Sequence, residues 1–482
     1  MRVGAVSDSA IDGATALAQA GGLFASNRPS AQSEGSAVAT IFSTDPSSGV
    51  KMTAIPRLSA SPVRSTAFRW YYLAVSFFIM QATGFFGVID RIKYGEWSEK
   101  SGDIFTQSLN TLQILVSIFL FWVGYNRAKR LSLGATLLLV VVAYLFMSVF
   151  WSVDPQTSLR RSVIYFFFVL GVIGIANTLS GDEYLELLRK LVFLSAIASL
   201  VFLIISPNAV LMSDGPLRGV FAHKNVFGQV MAAGVLASLH GIRVSGRQRS
   251  CVAMIILFLG LTLAAKSSTS LITIFVFCAV EILLASSGRY SIIVMTIVSV
   301  PALLIILLSP DVILDFLGKD ATLTGRTDLW YFVNLCIGQR PLLGWGFDAF
   351  WSQTNPAANE ISSNLGWSVP QAHNGLLELL LEVGAIGTSL FAIVFARNVW
   401  IAMRCLRTPA KELGKTLLLC CGGILLVGIS EEVLVDPSQI SVGLLFVMGL
   451  TGERALRAGA RQQGFRPIAQ RLRSASAREP TL

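Results

Sequence analysis

About twelve apolar stretches, each near the twenty residues a helix needs to cross a bilayer, follow one another from residue 68 to residue 453. They fall at 68–89, 106–125, 131–150, 161–178, 187–206, 225–242, 251–266, 269–286, 290–309, 374–396, 415–432 and 437–453. No other feature narrows the fold so far. Hydrocarbon offers no water to backbone amides, so each segment must satisfy its own hydrogen bonds, and a helix does this. The expectation is an all-α polytopic membrane protein of about twelve transmembrane helices over 67–453. Composition agrees: 14% of the residues are charged, against roughly a quarter in a soluble domain.

The net charge of +10 can suggest a nucleic-acid binder. The cations, however, lie between apolar stretches and do not line one amphipathic face, so no nucleic-acid partner is expected. With the N-terminus inside, the basic connections "YNRAKR", "SGDEYLELLRK", "RVSGRQR" and "SGR" and the stretch from Arg397 to Lys415 all fall on the cytoplasmic side. The last external connection, "SEEVLVDPSQ", has no Lys or Arg. Both termini are therefore expected in the cytoplasm. Residues 1–66, rich in Ser, Ala, Gly and Thr, read as a disordered cytoplasmic tail, and 454–482 as a basic cytoplasmic one. Gln and Gly interrupt "GATALAQAGGLFA", so it is not taken as a cleaved signal.

Five of the six cysteines lie in or beside apolar stretches and Cys336 stands alone, so neither metal spacing nor a disulfide framework emerges. One loop between spans is long, 310–372, and long structured loops usually carry function. This topology puts it outside, together with Arg218, His223, Lys224, Lys266, Arg326, Arg340 and His373.

Three motifs stand out. "RGVFAHKNVFG" (218–228) gathers Arg218, His223 and Lys224 where a helix begins, and cations beside free helix N–H groups suit a phosphate. The alternative is that these side chains snorkel to the interface, although the inside bias of positive charge opposes such a cluster outside. In "GRTDLW" (325–330), Arg326 offers a bidentate fork to phosphate, or else marks a helix start. "AHNGLLELLLEVGAIG" (372–387) places His373 and Asn374 at the mouth of the tenth span, with Glu378 and Glu382 on one helix face. Imidazole suits proton transfer near neutrality, but a lone His at a helix start also serves as a cap. A carboxylate inside a span needs a partner, which can be structural or catalytic. Trp330, Trp345, Trp351 and Trp367 in the long loop can stack on sugars or form an interfacial belt.

Taken in order and spacing, "RGVFAHKNVFGQ", "GRTDLW", "RPLLGWGFDAFW" and "HNGLLELLLEVGAIG" resemble the O-antigen ligase and polymerase superfamily, and within it exopolysaccharide polymerases of the succinoglycan type. The resemblance covers roughly residues 70–450. It implies a GT-C-like membrane glycosyltransferase that needs no metal or other cofactor. Its donor would be an oligosaccharide on undecaprenyl diphosphate, handled at the periplasmic face of a bacterial inner membrane. His373 matches the family's essential histidine, and Arg218 and Arg326 match arginines that hold the donor diphosphate. His223 and Lys224 join that group; Lys266 stands where relatives often carry arginine and lacks the fork. Asn374, Glu378 and Glu382 are expected to support His373. Polysaccharide export and chain-length proteins would be its partners.

The expected function is polymerisation of lipid-linked repeat units, with O-antigen ligation onto lipid A–core as the alternative. A lipid-linked sugar transporter is the rival from another class. It calls for charges spread through mid-membrane helices and for internal repeats, and Glu382 is nearly the only such charge.

Overall fold

Capping side chains start several helices earlier than the apolar pattern suggests. In the computed structural model, residues 66–94, 104–246, 248–285, 326–429, 431–432 and 436–464 are described, all within one unit, Arg64–Leu482. The chain runs through α1 (Thr66–Ala82), α2 (Gly87–Tyr94), α3 (Ile104–Ala128) and α4 (Leu133–Ser148). Next come α5 (Pro155–Thr178), α6 (Gly181–Ile205), the single turn α7 (Pro207–Val210), α8 (Lys224–Ser245), α9 (Gln248–Ala264) and α10 (Ser268–Ala285). Then follow α11 (Arg326–Gln339), α12 (Pro356–Leu365), α13 (Gly375–Cys405), α14 (Lys411–Gly428) and α15 (Ile440–Gly464).

The connection "WSVDPQTSLRR" turns out to contain the start of α5. Asp154 accepts from the Thr157 amide at 3.1 Å, and Pro155 at the first helical position has no N–H to leave unsatisfied. Likewise "SGDEYLELLRK" is the opening of α6, where Ser180 and Glu183 form a capping box. At the other terminus, α15 continues through Gly464, into what the sequence suggested was tail.

Among the described residues the fold is all-α, with one isolated bridge, Leu211–Leu217. Six helices among the described residues, including α8 and α13, are long and apolar enough to cross a membrane. The expected number of twelve is not reached on that measure; α9 is shorter, and 290–309 lies outside the described residues. Large apolar side chains face outward, Phe150, Trp122 and Ile204 among them, as lipid contact requires. The protein is a membrane protein whose described residues are all-α.

The main core joins α1, α3–α6, α8–α10 and α13–α15. α3 packs along α5 at a backbone contact: a Cβ on Gly174 would lie 2.3 Å from the Leu120 carbonyl, so only glycine fits. A second, smaller core belongs to the long loop. Leu329, Val333, Trp345, Phe350 and Ile361 pack with Leu381 of α13, so α11, α12 and the turns between them form a folded cap on the start of α13.

Candidate functional site

The helix that follows the expected catalytic histidine is broken. At Gly384, φ is +63° and ψ −172°, well outside helical values. A break frees carbonyls that a membrane cannot hydrate. Here the segment 341–346 takes them up: the Trp345 and Gly346 amides donate to the Leu381 and Glu382 carbonyls, each at 2.9 Å. In return, the Ala385 amide donates to the Pro341 carbonyl at 2.9 Å, and the Tyr144 hydroxyl to the Val383 carbonyl at 2.9 Å. A Cβ on Gly384 would sit 2.4 Å from the Leu342 carbonyl carbon. The glycines of "GWGFDAF" and "EVGAIG" thus let two backbones meet.

His373 lies one residue before the α13 cap, with φ +50°, a left-handed conformation uncommon outside glycine. Its Nδ1 is 3.2 Å from the Gln371 amide nitrogen, and its ring centroid is 6.4 Å from that of exposed Trp367. Asn374 is the cap itself, accepting from the Leu376 and Leu377 amides at 3.1 Å. Fully buried Glu378 accepts from Trp351 Nε1 at 2.6 Å and from the Ala372 amide at 2.5 Å, so it fixes the turn that presents His373. Trp330 and Trp345 also spend their indole N–H groups on backbone carbonyls, of Ala372 and Cys336. Three of the four loop tryptophans therefore hold the cap together, and Trp367 is the one left facing outward near His373.

His223 caps α8, its Nδ1 accepting from the Asn225 amide at 3.3 Å. Lys224 lies 3.5 Å from Asp214, and Arg218 Nη2 donates to the Asn208 carbonyl at 3.4 Å. Buried Arg91 of α2 donates to the Phe221 and Gly219 carbonyls and so shapes this loop from beneath. Lys266 is exposed between α9 and α10, with φ +50°. Arg326 opens α11, but its side chain is outside the described residues.

The connection after α14 draws the two halves together. Asn225 Nδ2 donates to Glu431 Oε1 at 2.7 Å, and Asn374 Nδ2 donates to the Ile429 carbonyl at 3.3 Å. Ser267, next to Lys266, donates to Asn225 Oδ1 at 3.3 Å. His373, the 218–225 loop and Lys266 thus share one end of the bundle. His240 is at the other end of α8, buried between Asp182 at 2.9 Å and Thr416 at 2.8 Å.

Glu378, Glu382 and Glu432 converge, with ligand atoms within 4.8 Å of one another. Glu382 is buried; its carboxylate accepts from the Asp348 amide, while Oε2 has no hydrogen-bond partner among the described residues. Desolvation, then the Glu378 and Glu382 carboxylates, push half-buried Glu432 well above the ordinary carboxylate range. Such a trio can hold a cation or share protons; it cannot carry three uncompensated charges. Nearby, Arg161 of α5 lies 3.0 Å from Asp348.

Sequence reasoning missed Arg91, Arg161, Asp348, Glu431 and Glu432. The paired carboxylates of "SEEV", at the end of an apolar span, were a legible signal for the last two.

The O-antigen ligase family model matches residues 252–392, which include the long loop and the start of α13. The chain is also 26% identical, over 322 residues, to the exopolysaccharide production protein ExoQ of Rhizobium meliloti (strain 1021). That similarity covers 62% of this chain and 73% of ExoQ. These findings bear out the family resemblance read from the motifs.

Proposed function

We propose that this membrane protein, of the O-antigen ligase and ExoQ-like kind, is a glycosyltransferase that polymerises lipid-linked oligosaccharide repeat units into exopolysaccharide. The observation that carries the reading is the meeting of His373 and the Arg218–Lys224 loop at one end of the bundle, where the residues that follow them, Asn374 and Asn225, bond to Ile429 and Glu431. The donor is an oligosaccharide on undecaprenyl diphosphate. Arg218, Lys224, Lys266 and Arg326 neutralise its diphosphate, with His223 donating from Nε2 because Nδ1 is already an acceptor.

An acceptor sugar hydroxyl attacks the anomeric carbon, the bond from that carbon to the phosphate oxygen breaks, and the lipid diphosphate leaves. His373 takes the hydroxyl proton on Nε2, which requires Gln371 to turn its carbonyl oxygen toward Nδ1–H. Exposed Trp367 offers a face on which a sugar can stack. Asn374 and Glu378 position His373, and Glu382 steadies the loop through the Asp348 amide. The reaction runs at the periplasmic face of the inner membrane, with both termini cytoplasmic, without a metal, and alongside chain-length and export proteins.

The second reading is ligation to lipid A–core, favoured by the description of the matching family model, O-antigen ligase. The test incubates purified protein with a lipid-linked repeat unit, with and without lipid A–core, in chelator. Ladders without core support polymerisation, capped core alone supports ligation, and loss of both in chelator removes metal independence.

A further inference from the structure

The end of the bundle away from His373 carries a groove of a different character. Beyond the break at Gly384, α13 continues as regular helix from Ala385 to Cys405. At 1.5 Å per residue those roughly 21 residues span about 31 Å, close to the roughly 30 Å of hydrocarbon in a bilayer. When the break stands near one membrane face, the last turns therefore stand at the other. Trp400 and Arg404 occupy those last turns and are both exposed, with the guanidinium carbon 5.1 Å from the indole centroid. Tryptophan and arginine are the side chains that settle at this depth.

Beside them an open groove of about 490 Å³ runs between α13 and α15. Arg397, Arg404 and Arg457 line it against one carboxylate, Glu453, which leaves two positive charges in excess. Glu453 is already committed. It accepts from the Leu133 and Gly134 amides at the start of α4 and pairs with Arg397 and Arg457. Arg404 has no carboxylate partner among the described residues. Leading down to the groove, Ile386, Ile393 and Trp400 recur every seven residues, forming an exposed apolar stripe on one face of α13.

We propose that this groove binds an anionic phospholipid. The phosphodiester meets Arg404 and Arg457, the glycerol region lies against Trp400, and an acyl chain follows Ile393 and Ile386. A free phosphate would use the arginines but would have no reason to need the stripe. The inference rests on the chain lying in a membrane and is independent of its transfer chemistry.

Native mass spectrometry of the full chain in mild detergent tests it. The probes are phosphatidylglycerol and phosphatidylcholine of identical acyl chains, in equal amounts, with millimolar inorganic phosphate as a separate arm. The wild-type protein should retain phosphatidylglycerol preferentially, and phosphate should not displace it. Arg404→Glu and Trp400→Leu should each lower that retention by about fivefold or more. Arg130→Glu, the same charge change at an exposed position outside the groove, should leave it unaltered. Equal retention of the two lipids, an equal loss in Arg130→Glu, or displacement by phosphate alone would each overturn the proposal. Unfolding midpoints of the variants separate loss of lipid from loss of fold, because Trp400 and Arg404 are exposed.

Discussion

The Asn225 side-chain Nδ2 donates to the Glu431 carboxylate at 2.7 Å, joining the first turn of α8 to the connection between α14 and α15. Two residues away, the Ile429 carbonyl accepts from Asn374, the residue after His373. Residues separated by about 150 positions in the sequence are thereby held to one short segment. Changing Asn225 to Asp keeps the shape but sets carboxylate against carboxylate beside the proposed diphosphate. Asn225→Asp is expected to cut transfer at least about tenfold, measured as glycan ladder formed from a lipid-linked repeat unit. A rate equal to wild type would mean that this bond does not organise the site.

Arginine geometry gives a second test. Arg218→Lys and Arg326→Lys keep the charge and lose the fork, which costs roughly 1.5–3 kcal/mol per charge-assisted contact, or about ten- to a hundredfold in rate. Wild-type ladders from both variants would reduce these arginines to anchors.

The break in α13 makes a structural prediction. Gly384→Ala puts a side chain at φ +63° and 2.4 Å from the Leu342 carbonyl carbon, so the seam between 341–346 and α13 must open. It should lower the unfolding midpoint and abolish transfer, at a cost of more than about 1 kcal/mol. Gly422→Ala, in α14 with nothing within 4 Å, should not. Similar midpoints for the two variants would contradict the seam.

The carboxylate trio predicts a pH effect with a defined sign. Desolvation and its acidic neighbours hold the Glu432 carboxyl well above the ordinary carboxylate range, so the folded state binds the proton more tightly than the unfolded state. The associated stability is present below the unfolded value and is lost as pH rises through the folded one. Glu432→Gln mimics the protonated form, so its stabilising effect should grow with pH above 4.5, followed by thermal unfolding across a pH series. A variant whose advantage is flat, or shrinks as pH rises, would indicate a bound cation in place of shared protons.

Much of the plan was legible because membrane helices announce themselves by length and apolarity. The segment at 225–242 lies within α8, and that at 374–396 starts at the cap of α13 and continues along it. Helix starts were less legible: the capping residues Asp154 and Ser180 lie in polar stretches that look like connections. The site was half legible. His373 and the 218–224 cations stand out by chemistry, but Arg91, Arg161 and Glu431 act through partners about 130 to 210 positions away. The tryptophans show the limit in the other direction. Composition suggested stacking surfaces or a belt, whereas Trp330, Trp345 and Trp351 are tied to backbone carbonyls and to Glu378.

The central claim is that the site around His373 transfers glycan from a lipid diphosphate. The most direct measurement compares purified wild-type, His373→Ala and His240→Ala proteins on a lipid-linked repeat unit, counting ladder products per folded molecule. Removing a general base costs about 10²- to 10⁴-fold, so His373→Ala should form no ladder while remaining folded in the membrane. His240→Ala should lose stability, because Asp182 and Thr416 lose their buried partner, yet keep its rate per folded molecule. Ladder formation by His373→Ala within about threefold of wild type would contradict the account and move the proton acceptor elsewhere, with Glu378 the next candidate.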